Sequence, residues 1–298
     1  AVCDERGQWK GSAWFRGVSP SFAARPQARA GLIGTPRGKN WFHRLWLKGQ
    51  GGQERDYAAF HWKSSDSPYV SKEFLDEQFR SIPRETFLQE YEADPLDNAM
   101  AVFRDVRSLV KMLRAENDAM TVIGIDLARK LDFSAMIGMN SSRQVTFIDR
   151  FQDEWAEQKR KIVSKAFQLN ARCVVDATGS GDVIVEDLRN SGIQVEGFIL
   201  SNQTKVNLIQ NLQVAFQQGT ISIPNDPTLI AELEAYELEY DDDTRKYKYS
   251  APSGLHDDLV IALALALWGQ RGALAYAAIK TQTSYMRGGR SSYMSSNR

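Results

Sequence analysis

Thr121 to Asp126, TVIGID, is an apolar run that stops on a carboxylate. A short run of this kind, rich in β-branched residues, reads as a buried strand and suits a central, doubly covered position in a sheet. The pattern recurs. Ala171 to Asp176, ARCVVD, is a second apolar strand ending in Asp and followed by a Gly-rich turn. The stretch GLHDDLVIALALALW then places Asp257 and Asp258 at the first turn of an apolar helix. In open α/β sheets, functional groups gather at the C-terminal ends of strands. Three distant segments therefore each offer a carboxylate at the end of an element. Brought together, such groups repel until one is protonated or a cation sits between them. Oxygen ligands without a His or Cys partner select hard cations, Mg²⁺ or Mn²⁺. Two such ions can activate a water and steady the leaving oxygen of a phosphodiester. The alternative is that each Asp caps a turn or a helix. Recurrence in the same strand context favours the metal site.

The order of elements supports an α/β fold. Strands are expected at about 121–126, 133–140 and 144–150, with a helix at 154–169, a strand at 172–176, a helix at 181–191 and a strand at 193–199. A helix at 203–218, a short strand at 220–223 and a helix-then-strand segment at 226–240 follow, then a tight DDDT turn into RKYKYS. Three consecutive strands followed by alternating helices and strands imply a mixed sheet with helices on both faces. Upstream, AVCDE is a brief apolar run ending in Asp4 and Glu5, the way many nucleotide hydrolases end a strand, although surface Asp-Glu pairs are far commoner. RAGLIGTPRGK is a strand stopped by Pro36, and Asn40 can cap the helix after it. Tyr57 to Lys63 alternates like a strand, Ser71 opens a helix, and Pro83 opens another. ADPLDN is the linker candidate. The expected division is 1–97, a connector at 98–118, a main domain at 119–270 and a basic tail at 271–298.

Lys+Arg and Asp+Glu both count 37, so a polyanion must be held by a local patch and not by overall charge. The candidates are Arg129, Lys130, Lys205, and the hairpin's Arg245, Lys246 and Lys248 interleaved with Tyr247 and Tyr249. Such a patch grips a phosphate backbone without reading sequence. Exposed hairpins also use charge simply to block edge pairing. Cys3 and Cys173 give neither a disulfide framework nor a zinc pattern. The apolar run Leu259–Trp268 is too short to span a bilayer. The chain opens without Met and inside a strand-like run, which reads as part of a longer protein.

The ordered set GIDLARKLDFSA, VVDATGSGD and LHDDLVIALALA resembles the nuclease domain of the large terminase subunit of tailed bacteriophages. WFRGVSPSFAARPQARAGLIGTPRGKNWFHRLW resembles the end of that subunit's ATPase domain, and FLQEYEAD the segment leading into the nuclease. The resemblance implies an RNase H-like fold preceded by a partial P-loop-type ATPase segment. It implies a Mg²⁺- or Mn²⁺-dependent endonuclease, using two ions, that cuts concatemeric double-stranded DNA during packaging. By position, Asp126, Asp176 and Asp257 match the family's metal-binding acids. Asp258 is an adjacent candidate and Asp132 a nearby one. Asp4 and Glu5 fall where the Walker B pair stands, and Thr35 and Arg37 fall in the Gly-Thr-Pro-Arg-Gly coupling segment. Implied partners are a portal protein and a small terminase subunit, in the host cytoplasm at the procapsid portal. No GxxxxGK[ST] occurs, so ATP is expected to serve only a complete motor and not this chain alone. Two other readings stay open: a non-cleaving fragment that binds DNA or docks on a portal, and a related resolvase acting on junctions or hybrids.

Overall fold

The structure is a computed structural model. It describes residues 2–4, 11–24, 27–36, 40–50, 56–95, 99–111, 120–127, 133–179, 181–241, 246–252 and 255–270. In chain order the first elements are β1 (Val2–Cys3), β2 (Gly31–Leu32), α1 (Trp41–Gln50), α2 (Lys72–Ser81), α3 (Arg84–Tyr91) and β3 (Ala99–Ala101). Next come β4 (Met120–Asp126), β5 (Ser134–Asn140), β6 (Val145–Phe151), α4 (Trp155–Leu169), β7 (Arg172–Asp176), α5 (Gly181–Asn190) and β8 (Val195–Phe198). The last are α6 (Asn202–Gln217), α7 (Pro227–Ala235), β9 (Glu237–Asp241), β10 (Lys246–Ser250) and α8 (258–270).

The chain divides into two compact units. The first holds Ala1–Arg104 with Gln213–Gln218 and Glu234–Leu255. Within it β1 and β2 pair in parallel, and Trp14, Trp41 and Leu45 are buried together, with the two indoles stacked at 6.4 Å. Asn40 caps α1 as expected, its Oδ1 accepting from the Phe42 amide at 2.9 Å. Ser71 caps α2 through the Phe74 amide. Residues 57–63 form no strand despite their alternation. Phe60 and Trp62 instead stack on each other, largely exposed. The hairpin expected around RKYKYS is β9–β10, and β3 joins it as a third antiparallel strand. Alanines 99 and 101 therefore lie in a sheet, next to what reads as a linker.

The second unit holds Asp105–Leu212, Gly219–Leu233 and His256–Arg298. Its sheet has the order β6-β5-β4-β7-β8, antiparallel across β6-β5-β4 and parallel across β4-β7-β8. This is the expected mixed sheet. Ile123 and Ile125 of β4 and Cys173 and Val175 of β7 pack with Ile162 and Ala166 of α4 and Val185 and Leu188 of α5. The opposite face is covered by α8, whose Leu259–Leu267 stretch is wholly buried. The short strand expected at 220–223 is reduced to two isolated bridges, Val110 to Ile223 and Gln144 to Ser222. Among the described residues no helix is long and apolar enough to cross a membrane.

Candidate active site

Side chains alternate faces along a strand. Ile123 and Ile125 face α4 and α5, so Val122, Gly124 and Asp126 face α8. The same parity on β7 puts Val174 and Asp176 on the α8 face. The register aligns Gly124 with Val174 and Ile125 with Val175. Asp126 and Asp176 therefore close adjacent parallel strands side by side, about 4.8 Å being the usual strand separation. On the other side, Asp126 is aligned with Ala135 and Ala135 with Arg150, which extends the row to β6.

Gly124 lets α8 lie directly on the backbone of β4. A Cβ there would stand 2.1 Å from the Ala262 carbonyl oxygen and 2.3 Å from the Ala266 nitrogen. Asp258, Ala262 and Ala266 recur every four residues and share one strip of the helix. At the far end Gln270 Nε2 donates to the carbonyls of Met139 (3.3 Å) and Asn140 (2.8 Å). Asn140 pairs with Met120 at the start of β4, so α8 runs back along the strand and brings its N-terminus to the strand's acidic end. The partial positive charge of that terminus favours carboxylates there.

The four acids hold different partners. Burial, and then the charges of Asp176, Asp258 and Asp257, push the Asp126 carboxyl well above its ordinary 3.8, while Lys205 pulls the other way. Asp176 Oδ1 accepts from the Thr178 amide (2.8 Å) and hydroxyl (2.5 Å), so it does also cap its turn. Asp257 Oδ2 accepts from Lys205 Nζ at 3.1 Å. Asp258 is buried, with Oδ2 3.0 Å from Arg150 Nη2 and 3.9 Å from His256 Nδ1. The Arg150 guanidinium lies 4.0 Å from the Phe133 ring centroid, and His256 meets that ring edge-on.

Two members of this neighbourhood escape the sequence reading. Arg150 ends the row that Asp126 belongs to. Glu232 of α7 is buried, accepts from the Leu259 amide at 2.9 Å, and stands 3.6 Å from Arg150. Burial lifts its carboxyl from 4.5 to about 7, with Asp258 adding to the rise. The signal for Glu232 lies in the sequence: it sits three residues after Leu229, on the apolar stripe of its helix.

Of the expected site residues, Asp126, Asp176, Asp257, Asp258 and Lys205 come together. Asp132, Arg129, Lys130, Arg245, Glu5 and Arg37 lie outside the described residues, as does the Lys246 side chain. Asp4, Thr35 and Lys248 belong to the first unit. Among the described residues no three His, Cys, Asp or Glu side chains stand close enough to hold one metal ion. Two of the acids are instead drawn to Lys205 and Arg150, and a third to its own turn. The donor chemistry fits a hard divalent cation: the oxygens are carboxylates, and Asp126 lies among like charges that raise its proton affinity.

The profile of the family described as the terminase RNaseH-like domain matches residues 123–268. The large terminase subunit of Thermus phage G20c is 28% identical over 304 aligned positions, covering 92% of this chain. The chain spans 62% of that relative's length. Among solved structures, the large terminase nuclease from thermophilic phage G20c with bound magnesium is 26% identical, with a TM-score of 0.52 over 58% of this chain and 98% of that one. The large terminase of another thermophilic bacteriophage is 14% identical and shares the fold, with a TM-score of 0.59 over 89% of this chain and 67% of that one. That coverage carries the likeness into the segment before residue 123.

Proposed function

We propose that this chain, whose residues 123–268 belong to the terminase RNase H-like domain family, is the DNA-cutting part of a phage large terminase subunit. The observation that carries the proposal is geometric: Asp126 and Asp176 end adjacent parallel strands, and α8, packed on Gly124 and running back along β4, brings the turn bearing Asp257 and Asp258 to the same sheet end. Asp126, Asp176 and Asp257 would hold Mg²⁺ or Mn²⁺ in a two-ion arrangement, with Asp258 and Asp132 as adjacent ligands. When bound, the ions would supply an activated water and charge for the departing oxygen. The protein's own part is placement. Asp126 and Asp176 are fixed by strand register, Asp257 and Asp258 by the first turn of α8, and Lys205 offers a cation to the scissile phosphate.

Double-stranded DNA is the proposed substrate, its backbone gripped by Arg129, Lys130, Lys205, Arg245, Lys246 and Lys248. The proposed domain limits are 1–97, 98–118, 119–270 and 271–298. Asp4, Glu5, Thr35 and Arg37 would belong to an ATPase segment that works with ATP only in a complete motor. Portal protein and small subunit are the proposed partners, in the host cytoplasm at the procapsid. One observation favours a non-cleaving reading: the Asp257 and Asp258 carboxylates are ion-paired with Lys205 and Arg150.

A plasmid assay decides between the two. Purified protein with Mn²⁺ or Mg²⁺ should nick or linearise DNA, chelation should stop it, and Asp126→Ala should reduce it to background. Full activity in Asp126→Ala would remove the assignment. DNA binding without metal-dependent cleavage would leave the docking fragment.

A further inference from the structure

The first intrahelical bond of α8 runs from the Ile261 amide to the Asp257 carbonyl at 2.9 Å, which makes Asp257 the N-cap residue. An Asp at that position ordinarily turns its carboxylate back to accept from the second and third amides of the helix. Here the second helix amide, that of Leu259, donates instead to Glu232 Oε2 at 2.9 Å. The Asp257 carboxylate engages Lys205. Glu232 reaches α8 from α7 and is only 6% exposed, so it is locked in place. Its other oxygen stands 3.6 Å from the same Arg150 nitrogen that holds Asp258 at 3.0 Å.

We propose that Glu232 is a positioning residue that caps α8 from outside, releasing Asp257 from capping its own helix so that its carboxylate can serve the metal site. The inference rests on the metal-site reading above. Glu232 also shares Arg150 with Asp258, at 3.6 Å and 3.0 Å. Without Glu232, the Leu259 amide would turn to the acceptor an N-cap Asp ordinarily offers, the Asp257 carboxylate. The helix would stay capped while the site lost a ligand.

The test is Mn²⁺ affinity, measured by calorimetry on the whole chain, for wild type, Glu232→Ala and Glu232→Gln. Loss of an outer partner of a metal ligand typically weakens metal binding about 10–100-fold. Glu232→Ala should fall in that range. Glu232→Gln keeps an amide oxygen for the Leu259 amide and should stay within about threefold of wild type. A purely structural role would lower melting temperature and leave metal affinity alone. Wild-type affinity in Glu232→Ala overturns the inference, as does a Glu232→Gln variant that loses as much as Glu232→Ala. Should Glu232→Ala not fold, a tenfold loss in folded Glu232→Gln overturns it and near-wild-type affinity there supports it. Failure of the wild type to bind Mn²⁺ overturns the metal-site reading itself, and with it this inference.

Discussion

Gly124→Ala places one methyl group where α8 touches β4. The new carbon would stand 2.1 Å from the Ala262 oxygen and 2.3 Å from the Ala266 nitrogen, both backbone atoms that no rotamer change can move. Restoring an ordinary 3.4 Å contact requires α8 to withdraw by about 1.3 Å. Overpacking of this kind costs about 1–3 kcal/mol. At the upper end that is a fall in melting temperature of about 5 °C for a chain of this size. The displaced helix carries Asp257 and Asp258 with it, and a shift of about 1 Å at a reacting centre can cost about 100-fold in rate. Gly197→Ala is the control. Its new carbon would meet a Val185 methyl, which can turn away, and the Ala177 Cβ, each at 3.0 Å, on the face away from α8 and clear of its backbone. Thermal melting and Mn²⁺-dependent plasmid cleavage, run in parallel, read both effects. A Gly124→Ala protein with wild-type melting and wild-type cleavage would refute the packing argument. Equal losses in Gly197→Ala would show that the damage is general and not transmitted through α8.

Asp126→Asn should change how stability depends on pH in metal-free protein. The carboxyl has a raised affinity for protons in the fold, so its contribution is fully present below its unfolded value near 3.8 and is lost as pH rises through the higher folded value. In EDTA the variant should therefore gain on wild type from acid towards neutral pH, and added Mn²⁺ should stabilise wild type but not the variant; parallel melting curves at all pH values would contradict this. Asp226→Ala removes the acceptor that caps α7 through the Leu229 amide at 2.8 Å. It should cost about 1 kcal/mol, read by urea denaturation, and an unchanged midpoint would count against the cap.

The elements of the second unit were legible because their signals are local. An apolar run that stops on Asp fixes both where β4 and β7 end and what they end with. Strand parity then assigns Asp126 and Asp176 to one face without further information. Capping residues were equally readable, Asn40 and Ser71 among them. Residues 57–63 show the limit of pattern: alternation makes a strand possible, but a strand also needs a neighbour to bond, and none is described there. Residues 99–101 show the converse, since their sheet is made by β9, some 140 positions away in sequence. The site divides the same way. The aspartates announce themselves by position, whereas Arg150 and Glu232 matter only because β6, α7 and α8 pack together. Asp176 illustrates why the capping and metal readings could not be separated from sequence: its Oδ1 is committed to Thr178 even though the residue stands in the acidic row.

The four acids rest on supports of unequal stiffness. Asp126 and Asp176 sit on a hydrogen-bonded ladder whose spacing cannot open without breaking the sheet, so they behave as the fixed jaw of a vice. Asp257 and Asp258 ride on the other jaw, a rod bearing on bare main chain at Gly124, with no interlocking side chain at that point to act as a detent. Asp257 and Asp258 therefore move only as a pair, whatever shifts α8, while Asp126 and Asp176 stay where the sheet sets them.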